Sequence, residues 1–269
     1  MALRPTTEDD LPALHTLFLA SLGGVYEPHG FESPAPPYDV FAAQQAHILR
    51  TGASVVAEED GAPVGFASAW VRGEDWFLAS LFVSTAAQGR GVGKALLDAV
   101  WGRHRRRRTI TDAIQPVSNT LYGRRGLSPV TPILTFTGTP RATSRIRPAP
   151  ADLAAIDAVA YGFDRGVAHA VWSTTARRTT WPNAYSYVFP GGTIGPVAAL
   201  TPTPAAQALE AELARAEGSV RLRVPGSATR LVQVALAAGR RQAPVPGLLL
   251  LADAVDAPTA LAPASYTLF

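Results

Sequence analysis

The stretch Phe82-Val83-Ser84-Thr85-Ala86-Ala87-Gln88-Gly89-Arg90-Gly91-Val92-Gly93-Lys94-Ala95-Leu96-Leu97 constrains the fold more than any other. An apolar strand runs into it and an apolar-faced helix leaves it, so the chain must hold a strand–loop–helix unit. Glycines at 89, 91 and 93 let the backbone curl and leave N–H groups unshielded. A helix N-terminus behind such a loop attracts an anion through its orphan donors and its dipole. A phosphate or pyrophosphate is the ligand this arrangement implies. Two common phosphate motifs do not fit. A P-loop needs glycine where Gln88 stands and a hydroxyl where Ala95 stands, and a dinucleotide fingerprint needs a third glycine where Lys94 stands. The pattern Gln-x-x-Gly-x-Gly fits Gln88, Gly91 and Gly93.

The elements around this unit alternate. The first half reads as a strand near 2–4, helices over 10–22 and 38–51, and strands at 54–58, 64–71 and 76–83. The glycine loop follows, then a helix over 94–104, a strand at 109–114, a helix over 118–125 and a strand at 131–137. The second half repeats the outline, with helices near 151–162 and 164–177, strands at 185–189 and 193–200, a helix over 204–217, a strand at 220–224, a helix over 227–239 and a strand at 247–252. Leu3-Arg4-Pro5 and its acidic helix start return as Ile146-Arg147-Pro148 and Asp152, some 140 residues on. That distance suits two related domains, 1–140 and 145–269, joined where Gly, Pro, Thr and Ser cluster. The class is α/β with a mixed sheet.

Composition removes whole classes of chemistry. The chain has no cysteine, so disulfides, thiolate metal sites and cysteine nucleophiles are excluded, and the five histidines show no ligand spacing. Hydrophobic residues make up 47% of 269, enough to bury real cores. No apolar run reaches the roughly 20 residues of a membrane span. Met1 to Asp10 lacks the basic and apolar segments of a signal peptide, so the expected location is the cytoplasm. A net charge of +3 is too small to call for nucleic acid. Arg103, Arg105, Arg106, Arg107 and Arg108 read as a solvated helix C-terminus.

The loop, together with Leu121-Tyr122-Gly123-Arg124-Arg125-Gly126-Leu127 downstream, resembles the GNAT acetyltransferase superfamily. The resemblance covers roughly 2–140. It implies tandem GNAT folds, bacterial and cytoplasmic, the first active-looking and the second degenerate. Each would hold a twisted mixed sheet, and in the first the fourth and fifth strands splay to admit an acyl-CoA, with no metal. Phe82 and Val83 would pair with the pantetheine arm. Gln88, Gly89, Arg90, Gly91, Val92, Gly93 and Lys94 would cradle the pyrophosphate. Asn119 is a further ligand candidate, although it lies three residues before Tyr122 where the family's asparagine lies about seven before. Tyr122 matches the tyrosine that protonates the departing thiolate. The strand 76–83 carries no carboxylate where many relatives place a glutamate, which leaves the base open among Glu27, Glu32, Asp112 and a water chain.

What this implies is an acyl-CoA-dependent N-acyltransferase, most simply acetyl, acting on a small-molecule amine that attacks the thioester directly, since there is no cysteine to carry the acyl group. An acyl-carrier-protein donor and a non-catalytic acyl-CoA sensor are the alternatives. The second domain has no glycine loop: Thr201-Pro202-Thr203-Pro204 lacks the N–H groups a pyrophosphate needs. It would wall the acceptor pocket or support the first.

Overall fold

The computed structural model describes residues 1–252 and 257–269. They fall into two units, one of Met1–Thr109 with Ile114–Leu127, the other of Ile110–Ala113 with Ser128–Phe269.

In the first unit the order is β1 (Ala2–Pro5), α1 (Leu11–Tyr26), α2 (Tyr38–Thr51), β2 (Gly52–Glu59), β3 (Ala62–Arg72), β4 (Asp75–Val83), α3 (Val92–Val100), the start of β5 (Arg106–Asp112) and α4 (Pro116–Gly123). Strands β1 to β4 pair antiparallel in sequence order, and β5 joins β4 in parallel. Side chains alternate across a strand. Phe66 therefore points to the face covered by α1 and α2, where it packs with Leu14, Leu17, Phe41 and Val56. Gly65 points to the other face, under α3. A Cβ there would come within 2.9 Å of both Leu96 Cδ1 and the Phe82 carbonyl, so only glycine lets α3 lie this close.

The arginine run departs from the sequence reading. Helix α3 stops at Val100, and Arg106 to Arg108 enter β5. Asp75 is buried at the start of β4 and needs a cation, which Arg108 and Arg106 supply at 2.6 and 2.8 Å. Arg107 turns instead onto the Trp101 ring, 4.5 Å from its centroid.

The second unit contains β6 (Ser128–Gly138), α5 (Leu153–Ala160), α6 (Gly166–Trp172), β7 (Arg177–Trp181), β8 (Ala184–Val188), β9 (Thr193–Ala199), α7 (Pro202–Ala214), β10 (Val220–Pro225), α8 (Thr229–Ala237), β11 (Arg241–Gln242), β12 (Gly247–Ala252) and β13 (Leu261–Ala262). The antiparallel run β7-β8-β9 followed by parallel β10 repeats the order β2-β3-β4-β5. Its core gathers Phe136, Leu222 and Val224 of the sheet with Leu209 of α7 and Leu231 of α8. Beneath α5 and α6 the Asp157 carboxylate accepts from Tyr185 Oη at 2.7 Å and meets His169 Nε2 at 2.9 Å.

The expected boundary near residue 140 is not where the units divide. β6 follows α4 as β11 and β12 follow α8, yet β6 pairs with β10 on one side and with β11 and β12 on the other. Backbone pairing therefore assigns 128–138 to the second unit. A chain ending at Thr139 would leave an eleven-residue strand stripped of its partners, an exposed edge of the kind that aggregates. Such a truncation should be insoluble on gel filtration, and a soluble monomer would contradict the pairing argument.

Candidate functional site

The parallel pairing of β5 with β4 runs from Asp75↔Arg106 to Leu78↔Thr109 and stops. Thr109 Oγ1 donates to the Leu78 carbonyl at 3.0 Å at that last rung. On the other side of β4 the register slips between Leu78 and Ser80, so Ala79 bulges out of the ladder with β3. The Ser84 N–H donates to the Val64 carbonyl at 2.9 Å. Hydrogen-bonding direction alternates along an antiparallel strand. Phe82 and Ser80 thus face β3 with their backbone groups, while Leu81 and Val83 turn theirs to the edge that β5 has left. The outward turn of Val83 shows directly, since its carbonyl accepts from Ser21 Oγ at 3.3 Å and Gln88 Nε2 at 3.1 Å.

The glycine loop closes over the end of this edge. Gly89 and Gly91 take φ of +74° and +84°, with open space where a Cβ would stand, so their need for glycine is conformational. Gly91 caps α3 with no side-chain acceptor, and the first intrahelical bond there runs from Ala95 N–H to the Gly91 carbonyl at 3.0 Å. The N–H groups of Val92, Gly93 and Lys94 precede any intrahelical partner. Gly93 lies opposite Val83 and Leu121: a Cβ there would sit 3.6 Å from Val83 Cγ2 and 4.0 Å from Leu121 Cδ2. Strand end, helix start and α4 therefore converge.

The cations of the loop are held by carboxylates. Arg90 makes a two-pronged pair with Glu59 at 2.8 and 3.0 Å. Lys94 pairs with Asp98 at 2.9 Å, and Asp98 also binds Arg125. Gln88 spends its amide on the Val83 carbonyl, which ties the loop to the strand. An anion would thus be met chiefly by backbone N–H groups and the helix dipole.

Tyr122 sits on α4, 4% exposed, and burial pushes its phenol well above the ordinary value against a smaller opposing effect of its bond to Ser118. The hydroxyl stays protonated through the neutral range. Asn119 lies one turn earlier, its N–H bonded to the Gln115 carbonyl at 3.1 Å. Glu27 and Glu32 are exposed in the segment between α1 and α2, and Asp112 lies in the second unit beside Tyr266. The structure brings the loop, the edge of β4 and α4, which carries Tyr122, together. Glu59, Asp98 and Ser21 were not singled out by sequence reasoning. Lys94 and Asp98 stand at the i,i+4 spacing that signals a helical pair, whereas Glu59 and Ser21 lie 31 and 62 residues from their partners and left no local signal. Among the described residues no group of three or more His, Asp or Glu could hold a metal, and no helix is long and apolar enough to cross a membrane.

Comparison with known proteins adds the following. Residues 13–126 match the model of the acetyltransferase (GNAT) family. The chain is similar in fold to a Pyrococcus horikoshii protein named as an acetyltransferase, at 18% identity and TM-score 0.80, over 100% of this chain and 95% of that one. It is also similar to a GCN5-related N-acetyltransferase from Sphaerobacter thermophilus, at 17% identity and TM-score 0.66, over 95% and 97%. At these identities the likeness shows the fold, a mixed sheet flanked by helices. No curated protein sequence matches the chain.

The tyrosine yields a pH prediction. An unfolded tyrosine ionises near pH 10, whereas buried Tyr122 ionises later. Its contribution to stability is present below about pH 10 and lost as pH rises above it, because only the unfolded chain then releases the proton. Urea unfolding at pH 8 to 11 should show stability falling above about pH 10, less steeply in Tyr122→Phe. Equal slopes for the two proteins would show the phenol to be solvated.

Proposed function

We propose that the chain, an acetyltransferase whose residues 13–126 match the GNAT family, moves an acyl group, most simply acetyl, from coenzyme A to a small-molecule amine in the cytoplasm. The observation that carries this is the coincidence of an uncovered strand edge with an uncapped helix start. The edge at Leu81 and Val83 offers backbone groups to an extended arm such as pantetheine. One turn away, the N–H groups of Val92, Gly93 and Lys94 suit a pyrophosphate.

The chemistry follows from these positions. The Val83 N–H polarises the thioester carbonyl and stabilises the oxyanion that forms on attack. Alternation in β4 favours Val83 and Leu81 over Phe82 for this task, since the Phe82 N–H is turned to β3. The neutral amine attacks the carbonyl carbon, and its surplus proton leaves to water or to a carboxylate such as Glu27 or Glu32. The C–S bond breaks as the tetrahedral intermediate collapses, and Tyr122 gives its proton to the departing thiolate. With no cysteine in the chain, direct attack needs no acyl-enzyme. The second unit would serve the acceptor side or stabilise the first, since only two residues separate β9 from α7 where eight separate β4 from α3.

Two measurements test this reading. Gly91→Asp adds a carboxylate beside the anion site and a side chain at positive φ, so calorimetry should show acetyl-CoA binding weakened at least tenfold, by about 1.4 kcal/mol or more. Unchanged affinity would place the donor elsewhere. Tyr122→Phe should lower kcat by about 10²–10⁴-fold with donor affinity kept, the usual range for a general acid. Full kcat, with chemistry rate-limiting, would leave the tyrosine a packing residue.

A further inference from the structure

A backbone carbonyl has two lone pairs, and both of those on Val83 are taken by side chains of the same unit. Ser21 Oγ donates to this carbonyl at 3.3 Å and Gln88 Nε2 donates at 3.1 Å. It is the same carbonyl that turns to the edge β5 has left, where an arm such as pantetheine would bring an amide N–H. A third donor finds no lone pair there, so it must displace one of the two.

The two side chains are held very differently. Ser21 is 7% exposed and lies on α1, whose positions 18, 21 and 24 meet the exit of β4 in turn. Phe18 packs edge-on against Phe82 at 4.8 Å, and a Cβ on Gly24 would sit 3.2 Å from Thr85 Cγ2. Drawing Ser21 away from Val83 would therefore draw the helix away with it. Gln88 is exposed. A single 3₁₀ turn over Thr85–Ala87, with the Ala87 N–H donating to the Ser84 carbonyl at 2.9 Å, folds the chain back and brings Gln88 over the strand end. Its side chain can leave by rotation about its own bonds while the loop backbone stays in place. It also offers the same chemical group as the arm, an amide N–H presented to a strand carbonyl.

We propose that the Gln88 side chain is a release latch, which yields the Val83 carbonyl to the donor's amide arm and reclaims it as the thiol product leaves. This rests on the acetyltransferase reading and gives one side chain of that site a part in the exchange of donor and product. The latch works against binding, because each coenzyme A that enters breaks the bond. One protein hydrogen bond changes an equilibrium by about two- to tenfold. Product release limits the turnover of many enzymes, and a competitor built into the loop shortens the stay of the product. ADP has a pyrophosphate but no amide arm, so it leaves the latch closed.

Calorimetric titration of the full chain with coenzyme A and with ADP tests this. Gln88→Met keeps the side-chain length and loses the N–H, and Gln88→Ala loses both. In each variant the affinity for coenzyme A should rise at least threefold relative to that for ADP. A ratio unchanged in both would overturn the latch, and a lower ratio would make Gln88 a contact of the bound arm instead. A gain confined to Gln88→Ala would assign the effect to bulk and would equally overturn it. The donor reading is judged separately with Gly91→Asp. Coenzyme A binding that is no weaker in that variant would remove the donor reading and the latch together. Weaker binding there, with no gain in either Gln88 variant, would remove the latch alone.

Discussion

The parting of β4 from β5 after Leu78 is the constraint on which the rest of the first unit depends. Parallel strands ordinarily pair along their whole shared length, because unpaired backbone groups in a sheet interior are costly. Here the pairing is held hard at one end and released at the other. Asp75, 1% exposed, binds both Arg106 and Arg108, and a buried carboxylate that lost those cations would be strongly destabilising. Beyond the last rung the bulge at Ala79 shifts β4 by one residue, and the exit edge of the strand remains unclaimed by β5. The ion pair thus fixes where the strands must meet, and the bulge marks where they can separate.

In the second unit the parallel pairing of β9 with β10 also stops, after Leu222↔Ile194, but there β13 takes up the edge of β9 at Val197 and Ala198. In the second unit β9 passes into α7 through Leu200 and Thr201, and α7 opens on Pro202 with Pro204 two residues on. Neither proline has an N–H to offer. Two buried carboxylates of this unit are held by side chains of the same unit. Glu212 accepts from Ser186 at 2.7 Å and from Arg177 at 2.6 Å, and Asp157 serves Tyr185, His169 and the Arg165 N–H. Partnered carboxylates of this kind stiffen a core.

Much of this was legible in the chain because it is written locally. The glycine loop, the strand before it and the helix behind it are contiguous, so hydrophobic period and glycine spacing were enough to place them. Strand β12 was bounded at 247–252 from its apolar run alone. What stayed hidden depends on partners far away in sequence. The arginines of 106–108 look like a helix end until Asp75 is placed beside them. β6 reads as the close of a first domain until β10 and β12 are found on either side of it. β7 escapes the sequence reading because Arg177, Arg178, Thr179 and Thr180 carry no apolar alternation, the two arginines being exposed at the sheet edge. The candidate bases remained undivided for the same reason, since exposure and placement of a carboxylate are tertiary properties.

The electrostatics of the loop follow from this economy of charge. Arg90 and Lys94 would be the natural phosphate ligands by type, yet each is held by a carboxylate of its own unit. Exposed pairs of this kind contribute only about 0–1 kcal/mol to stability, so stability is a poor reason for them. Their geometric effect is larger: Glu59 draws Arg90 toward the end of β2, and Asp98 holds Lys94 along α3 while also taking Arg125. Both leave the space before Val92 to the backbone. The proposed anion site, made of N–H groups, would not titrate, would not need to be desolvated from a counter-ion, and would already be oriented by the αL turn at Gly91. Side-chain cations around it then set the potential without occupying the place where the phosphates would lie. The glycine loop is therefore best understood as a scaffold for three N–H groups, with the charged residues arranged to keep them clear.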